Sequence, residues 1–267
     1  MKKGAGKWPW LCPLFSGSTG NSYYIGTRSA GLLLDAGRSA RQLTGALQRC
    51  GIDPLAVQGI LITHEHSDHI AGVRVFAKKY GIPVFASQGT LLAMDSSLEG
   101  VERWVLEEEL QLAGMTVRPF STPHDSAQSL GFRIRTEDGR QFALATDLGA
   151  LTGCVREHLL GAEFVVIESN HDKEMLRNGP YPAYLKRRIL AGTGHLSNGE
   201  CAAFLPELAQ AGTKRFLLAH LSRENNTPSL AREAALSSLC GAGLSQGTDF
   251  WLGVAPVENQ EGKAIIF

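Results

Sequence analysis

The feature that most constrains this chain is the run His64-Glu65-His66-Ser67-Asp68-His69, in which His64, His66, Asp68 and His69 place three imidazoles and one carboxylate within six residues. The apolar run Ile60-Leu61-Ile62-Thr63 precedes it, within a segment that reads as a short buried strand from Gly59 to Thr63. Ile70 to Tyr80 follows and reads as a helix, with Val73, Phe76 and Ala77 on one face. A loop between a buried strand and a helix sends several side chains to one spot. Imidazole nitrogen and carboxylate oxygen suit Zn²⁺, Mn²⁺ or Fe²⁺. Histidines two apart in an extended loop can share one ion, and Asp68 and His69 can turn to a second. Isolated histidines at strand ends are usually structural, but four ligand-type side chains in one block predict a metal site.

Three later residues show the same local grammar. His124 follows Ser121-Thr122-Pro123, Asp147 follows the strand-like Phe142-Ala143-Leu144-Ala145, and His220 follows Phe216-Leu217-Leu218-Ala219. Strand ends in layered α/β folds are where sites collect. The rest of the chain alternates strand and helix signals. Tyr23 to Ile25 and Leu32 to Leu34 read as a hairpin, Ser39 to Cys50 as a helix, and Ile82 to Ala86 as a strand. Further strands are expected at Gln111–Leu112, Thr116–Phe120, Leu130–Arg135 and Gln141–Ala145, the last two joined by a turn at Asp138-Gly139. Phe164 to Ile167 and Phe216 to Ala219 read as strands. Ser197-Asn198-Gly199-Glu200 is a capping box opening a helix to about Gln210, and Thr227-Pro228 opens another. Phe250–Val254 and Ala264–Phe267 are expected as closing strands. The pattern alone gives the class α/β.

Composition removes several alternatives. Across 267 residues, 43% hydrophobic and 19% charged side chains describe an ordinary globular chain. The formal net charge of zero means that polyanion binding must come from a local patch. The five cysteines (Cys12, Cys50, Cys154, Cys201 and Cys240) include no C-x-x-C pair. This argues against a disulfide framework or a thiolate zinc site and favours a reduced, cytoplasmic setting. The N-terminal stretch Trp8-Pro9-Trp10-Leu11 is too short for a signal-peptide core, and no run approaches the roughly 20 apolar residues of a membrane span.

The order His-x-His-x-Asp-His, then a lone His, a lone Asp and a last His, resembles the metallo-β-lactamase superfamily over about Leu14 to Val254. The resemblance implies a four-layer αββα sandwich, with 1–267 as a single domain. It also implies two divalent metal ions, zinc or manganese, with iron as a further option. His64, His66 and His124 would hold the first ion, Asp68, His69 and His220 the second, and Asp147 would bridge them. Asp35, ending Leu32-Leu33-Leu34, would be a buried aspartate propping the metal loop. Asp68 argues against hydrolysis of β-lactam antibiotics.

The implied reaction is hydrolysis by a two-metal-activated water, with Asp68 in the catalytic set. That chemistry serves phosphodiesters, thioesters and lactones alike. Several motifs lean toward phosphodiesters and resemble the small stand-alone YycJ-type exonucleases, which are similar to tRNase Z in outline. Glu168 and His195 match by order and context a relay that protonates the leaving oxygen, so both join the expected catalytic set. Substrate contacts are expected from Ser18 and Asn21 in the turn Ser16–Ser22, from His171, and from a basic patch of Lys186, Arg187 and Arg188, with Arg177 upstream and Arg223 beyond the last ligand-type residue. The turn reads equally as a plain tight turn, and the patch equally as a solvated helix face. The resemblance thus implies a metal-dependent nuclease, a 5′–3′ DNA exonuclease, as a hydrolase with a nucleic-acid substrate. A glyoxalase II- or lactonase-type hydrolase of small molecules is the alternative. A homodimer stays open.

Overall fold

The computed structural model describes residues 10–266. Trp8 and Pro9 of the N-terminal apolar stretch, and Phe267 at the end of the expected last strand, lie outside the described residues.

The first half begins with the meander β1 (Trp10–Phe15), β2 (Ser22–Gly26) and β3 (Gly31–Leu34). Helix α1 (Ala40–Arg49) leads to β4 (Val57–Leu61), and α2 (Ser67–Ile70) and α3 (Val73–Tyr80) lead to β5 (Val84–Ala86). Helix α4 (Gln88–Ala93) then precedes the edge strand β6 (Arg103–Val105). The second half repeats this plan. A meander of β7 (Leu110–Leu112), β8 (Met115–Ser121), β9 (Leu130–Thr136) and β10 (Gln141–Ala145) comes first. Then α5 (Gly153–Leu159), β11 (Phe164–Glu168), α6 (Lys173–Asn178), α7 (Ala183–Ile189) and α8 (Asn198–Gln210) follow. β12 (Arg215–Ala219), α9 (Pro228–Gly241), β13 (Trp251–Val254) and β14 (Ile265–Ile266) complete the described chain.

The strands form two seven-stranded sheets, ordered β14-β1-β2-β3-β4-β5-β6 and β13-β12-β11-β10-β9-β8-β7. In each, an antiparallel meander passes into parallel strands, at β3–β4 in one and β10–β11 in the other. The parallel strands explain the unbroken apolar runs, because both faces of such a strand are covered. Leu32 and Leu34 enter the core between the sheets, with Phe132, Phe142, Phe164 and Val166. Leu33, between them, packs outward against Leu43, Leu47 and Phe76 of the helical layer. On the other side, Ala143, Val165, Ile167 and Phe216 pack beneath Phe204, Leu205 and Leu239. The architecture is the four-layer αββα sandwich, and three apolar cores follow directly from alternation along its strands.

One expected element is divided. The helix expected over Ile70–Tyr80 is interrupted at Ala71-Gly72, and its first turn begins earlier, at Ser67. Gly72 presses against the loop after β3, where an added Cβ would lie 1.9 Å from the Arg38 carbonyl oxygen. Packing of the metal-type loop against that neighbour therefore overrides helix continuity. No described helix is long and apolar enough to cross a membrane.

Candidate metal centre and active site

The exits of β3, β4, β8, β10, β11 and β12 converge at one end of the sandwich and deliver Asp35, His64, His124, Asp147, Glu168 and His220 in turn. Asp35, Asp147 and His220 adopt positive φ, at 59°, 55° and 55°. For non-glycine residues this left-handed conformation is uncommon, and strain of this kind concentrates at functional sites. It turns each side chain sharply as the strand ends. His220 is further pinned by its backbone: its N–H donates to Ser16 Oγ at 2.9 Å and its carbonyl accepts from Asn170 Nδ2 at 2.9 Å.

Two ligand groups result. His64 Nε2 lies 3.1 Å from His66 Nδ1, and His124 Nε2 lies 3.3 Å from the same atom. His69 Nε2 and His220 Nε2 lie 3.6 and 3.7 Å from Asp68 Oδ2. Asp147 stands between the groups, with Oδ2 3.2 Å from His69 Nε2 and Oδ1 3.8 Å from His124 Nε2. The seven residues expected as metal ligands are thus brought together, and every ligand atom within each of the triads His64/His66/His124 and Asp68/His69/His220 lies within 4.8 Å of the others.

The surrounding hydrogen bonds show which nitrogens face inward. Asp35 accepts from the Thr63 amide at 2.8 Å, the Thr63 hydroxyl at 2.9 Å and His69 Nδ1 at 2.7 Å. The Thr63 hydroxyl, having given its proton to Asp35, is an acceptor for His64 Nδ1 at 2.9 Å. His124 Nδ1 donates to the Gly194 carbonyl at 3.2 Å. These bonds fix the outer nitrogens as donors and turn the inner nitrogens toward one another, the orientation that metal-ligating histidines require. Among the described residues, buried Asp147 Oδ2 and His220 Nε2 have no hydrogen-bond partner. Converging inner nitrogens and orphaned buried acceptors fit divalent cations.

The electrostatics agree. Burial disfavours charge on His69, yet Asp147 and Asp35 overcome it and push its pKa up to about 10. Burial likewise opposes charge on His220, and Asp147, Asp68 and Glu168 raise it well above the usual value. His64 moves the other way, because burial and the positive neighbour His69 both disfavour its cation. The acidic side of the cluster thus favours positive charge at its centre.

Glu168 falls among the potential ligands by distance alone, but both its oxygens are occupied. Oε2 accepts from the amides of Leu148 and Leu196, each at 3.0 Å, while Oε1 receives His195 Nδ1 at 2.9 Å and His220 Nδ1 at 2.7 Å. Burial pushes its pKa up, but His195 and His220 prevail and hold it near 2. Glu168 is therefore a buried carboxylate orienting two imidazoles. His195 lines a cleft of about 240 Å³ together with His66, Asp68, Asp147 and His220. Burial opposes its protonation, and Glu168 raises its pKa nonetheless.

The expected substrate contacts divide. Ser18 lines the cleft and is exposed. Asn21 is 1% exposed and faces inward: its amide nitrogen reaches Gly17 O, Asp68 Oδ2 and His69 Nε2, and its oxygen accepts from the Gly17 amide. The amides of Gly20 and Asn21 are bonded to Gly17 O and Asp68 O. Those amides are spent inside the fold and do not cradle an anion. His171 is buried away from the cleft lining, with no partner on either ring nitrogen among the described residues. Lys186 Nζ is used by the carbonyls of Arg177 and Gly179, and Arg187 and Arg223 are exposed but do not line the cleft. Arg188, from the same basic patch, does line it.

Sequence reasoning missed a buried amide network. Ser169 Oγ donates to Asn198 Oδ1, Asn198 Nδ2 to Asn226 Oδ1, and Asn226 Nδ2 to the carbonyls of Ser169 and Asn170. It ties together the three loops bearing Glu168, His195 and His220. Its trace in the sequence is the pairs Ser169-Asn170, Ser197-Asn198 and Asn225-Asn226 beside those residues. Glu65, inside the histidine block, turns away and accepts from the Ala127 amide at 2.7 Å.

Known proteins resemble this chain in sequence and in fold. Residues 31–221 match the model of the Beta-lactamase superfamily domain. Exodeoxyribonuclease YycJ of Bacillus anthracis is 37% identical over 242 residues, covering 89% of this chain and 91% of that protein. Exodeoxyribonuclease WalJ of Streptococcus pneumoniae serotype 2 is 37% identical over 244 residues, covering 89% and 90%. The crystal structure of the metallo-β-lactamase fold protein YhfI from Bacillus subtilis superposes with a TM-score of 0.70 at 16% identity, covering 94% of this chain and 98% of that one. By matched length and identity, this chain belongs to the β-lactamase superfamily and, within it, to the group of the YycJ and WalJ proteins.

Proposed function

We propose that this protein is a metal-dependent nuclease that removes nucleotides from the 5′ ends of DNA. The observation that carries the reading is the pairing of His195 with buried Glu168 at the edge of the metal-type cluster. An alkoxide leaving group needs a proton, whereas a thiolate departs without one, so a positioned acid distinguishes phosphodiester from thioester chemistry. The similarity to two exodeoxyribonucleases supports the same choice, and supports DNA as the polymer.

His64, His66 and His124 would hold one ion, Asp68, His69 and His220 a second, and Asp147 both, with zinc or manganese as the metal. Divalent ions bound there supply Lewis acidity toward the phosphate and lower the pKa of water. Glu168 holds His195 through Nδ1, so the proton on Nε2 is available on the cleft side to the departing oxygen. Asp68, held through Oδ2 by Asn21 at 3.2 Å, is a carboxylate that lines the same cleft as His195.

The test is an assay on 5′- and 3′-labelled single- and double-stranded DNA and RNA with Mn²⁺ or Zn²⁺. Wild type should release mononucleotides from the 5′ end of DNA, and Asp147→Ala should release none. His195→Ala should retain two metals and lose about 10²–10⁴-fold in kcat. Absence of cleavage of any polymer, by protein shown to hold two metals, would overturn the reading in favour of thioester or lactone substrates.

A further inference from the structure

The cleft has two unlike walls. Metal-type ligands and His195 form one, and Tyr181, Leu185, Arg188 and Ile189 line the other. Leu185, Arg188 and Ile189 are spaced i, i+3, i+4 and so share one face of α7. Arg188 Nε donates to Asp125 Oδ2 at 2.5 Å, beside the ligand-type His124. Among the described residues its two terminal nitrogens make no hydrogen bond, and the side chain is 54% exposed. A guanidinium fastened through Nε presents a fixed two-pronged donor, a shape that matches phosphate oxygens. Exposed ion pairs of this kind contribute little to folding, so stability does not explain the arrangement. The wall is also in register with the catalytic side. The His195 amide donates to the Ile189 carbonyl at 2.9 Å, and Gly194 lets the chain pass so closely that a Cβ there would lie 2.2 Å from the Arg188 carbonyl oxygen.

We propose that this face of α7 is the subsite for the nucleotide flanking the cut, with Arg188 gripping a non-scissile phosphate and Tyr181 and Leu185 packing its base. The inference rests on the phosphodiesterase reading and names the part of the substrate that the cleft recognises. Base packing on an aromatic ring is indifferent to sequence, as processive removal of nucleotides demands.

Metal-loaded wild type, Arg188→Gln, Arg188→Lys and Tyr181→Ala are compared on two substrates. One is a single-stranded oligodeoxynucleotide. The other is bis(p-nitrophenyl) phosphate, a phosphodiester with neither a base nor a second phosphate. Arg188→Gln should raise KM for the oligonucleotide about tenfold or more, leave kcat within about threefold, and lower the salt dependence of binding by about one phosphate contact. Arg188→Lys, which keeps the charge without the fork, should fall between. Tyr181→Ala should raise KM roughly fivefold to a hundredfold. On the small diester, kcat/KM of each variant should stay within about twofold of wild type. Equal losses on both substrates would overturn the subsite and leave Arg188 a structural residue. Wild-type kinetics and salt dependence in Arg188→Gln would overturn it too. Wild type that holds metal yet cleaves neither substrate would instead overturn the phosphodiesterase reading, and the subsite with it.

Discussion

Asp35 shows how one buried side chain can set a whole cluster. It lies 1% exposed, receives both the Thr63 amide and hydroxyl, and takes the outer nitrogen of His69, while Thr63 passes the restraint on to His64. One carboxylate therefore fixes the tautomers of two imidazoles, one in each ligand group. Asp35→Asn preserves the side-chain shape and tolerates the positive φ, but removes the charge facing His69. Metal affinity should fall about tenfold to a hundredfold, read by competition with a chromogenic chelator. Unaltered affinity would show that Asp35 serves the fold alone. At this scale the cluster of ligand-type side chains was legible in the sequence because its chemistry is: imidazole and carboxylate in a tight block have few other uses. Direction was not legible. Asn21, Lys186 and Arg188 carry equally plausible side chains, and only packing sent Asn21 inward, tied Lys186 to two carbonyls and left Arg188 in the cleft.

At the scale of elements, the N-terminus of α8 joins folding to the site, because the loop before it carries His195. Ser197 accepts from the Glu200 amide, and Glu200 accepts from the Ser197 amide at 3.1 Å. Ser197→Ala should lower stability by about 1 kcal/mol. Burial raises the Glu200 pKa, but its bonds to Ser197 and the nearby Lys173 outweigh this and bring it below the ordinary value. A carboxylate depressed in the folded state contributes stability above its unfolded pKa, and that contribution disappears as pH falls through the folded value. Glu200→Gln should therefore be destabilising at pH 7, with the gap from wild type closing in the acid range below about pH 4. Urea titrations at several pH values measure this, and a gap that widens toward acid would refute it. Capping boxes and the Asp138-Gly139 turn were readable because they are local. The break at Gly72 was not, since its cause is the Arg38 carbonyl from another loop.

The whole molecule brings two similar halves together so that parallel strands from both sheets end at one edge. The consequence is a buried cluster whose carboxylates favour positive charge on His69 and His220, charge that a divalent cation would take over. Adding Zn²⁺ or Mn²⁺ to chelator-treated protein should release protons and raise the melting temperature by roughly 5–10 °C at a hundredfold excess over Kd. Differential scanning calorimetry and a weakly buffered pH trace measure both effects. An unchanged melting temperature would mean that the cluster binds no ion in the folded state.

The sequence by itself determined what depends on near neighbours: alternation along strands, caps, turns and a ligand block whose chemistry leaves few readings. Resemblance to a known order of ligands then supplied the layers. Tertiary structure alone decided which side chains face the cleft. That choice depends on strand exits at positive φ, on glycines where one backbone crosses another, and on amides such as Asn226 that join three loops. Each is a contact between residues far apart in the chain, and a linear pattern holds no record of distance in space.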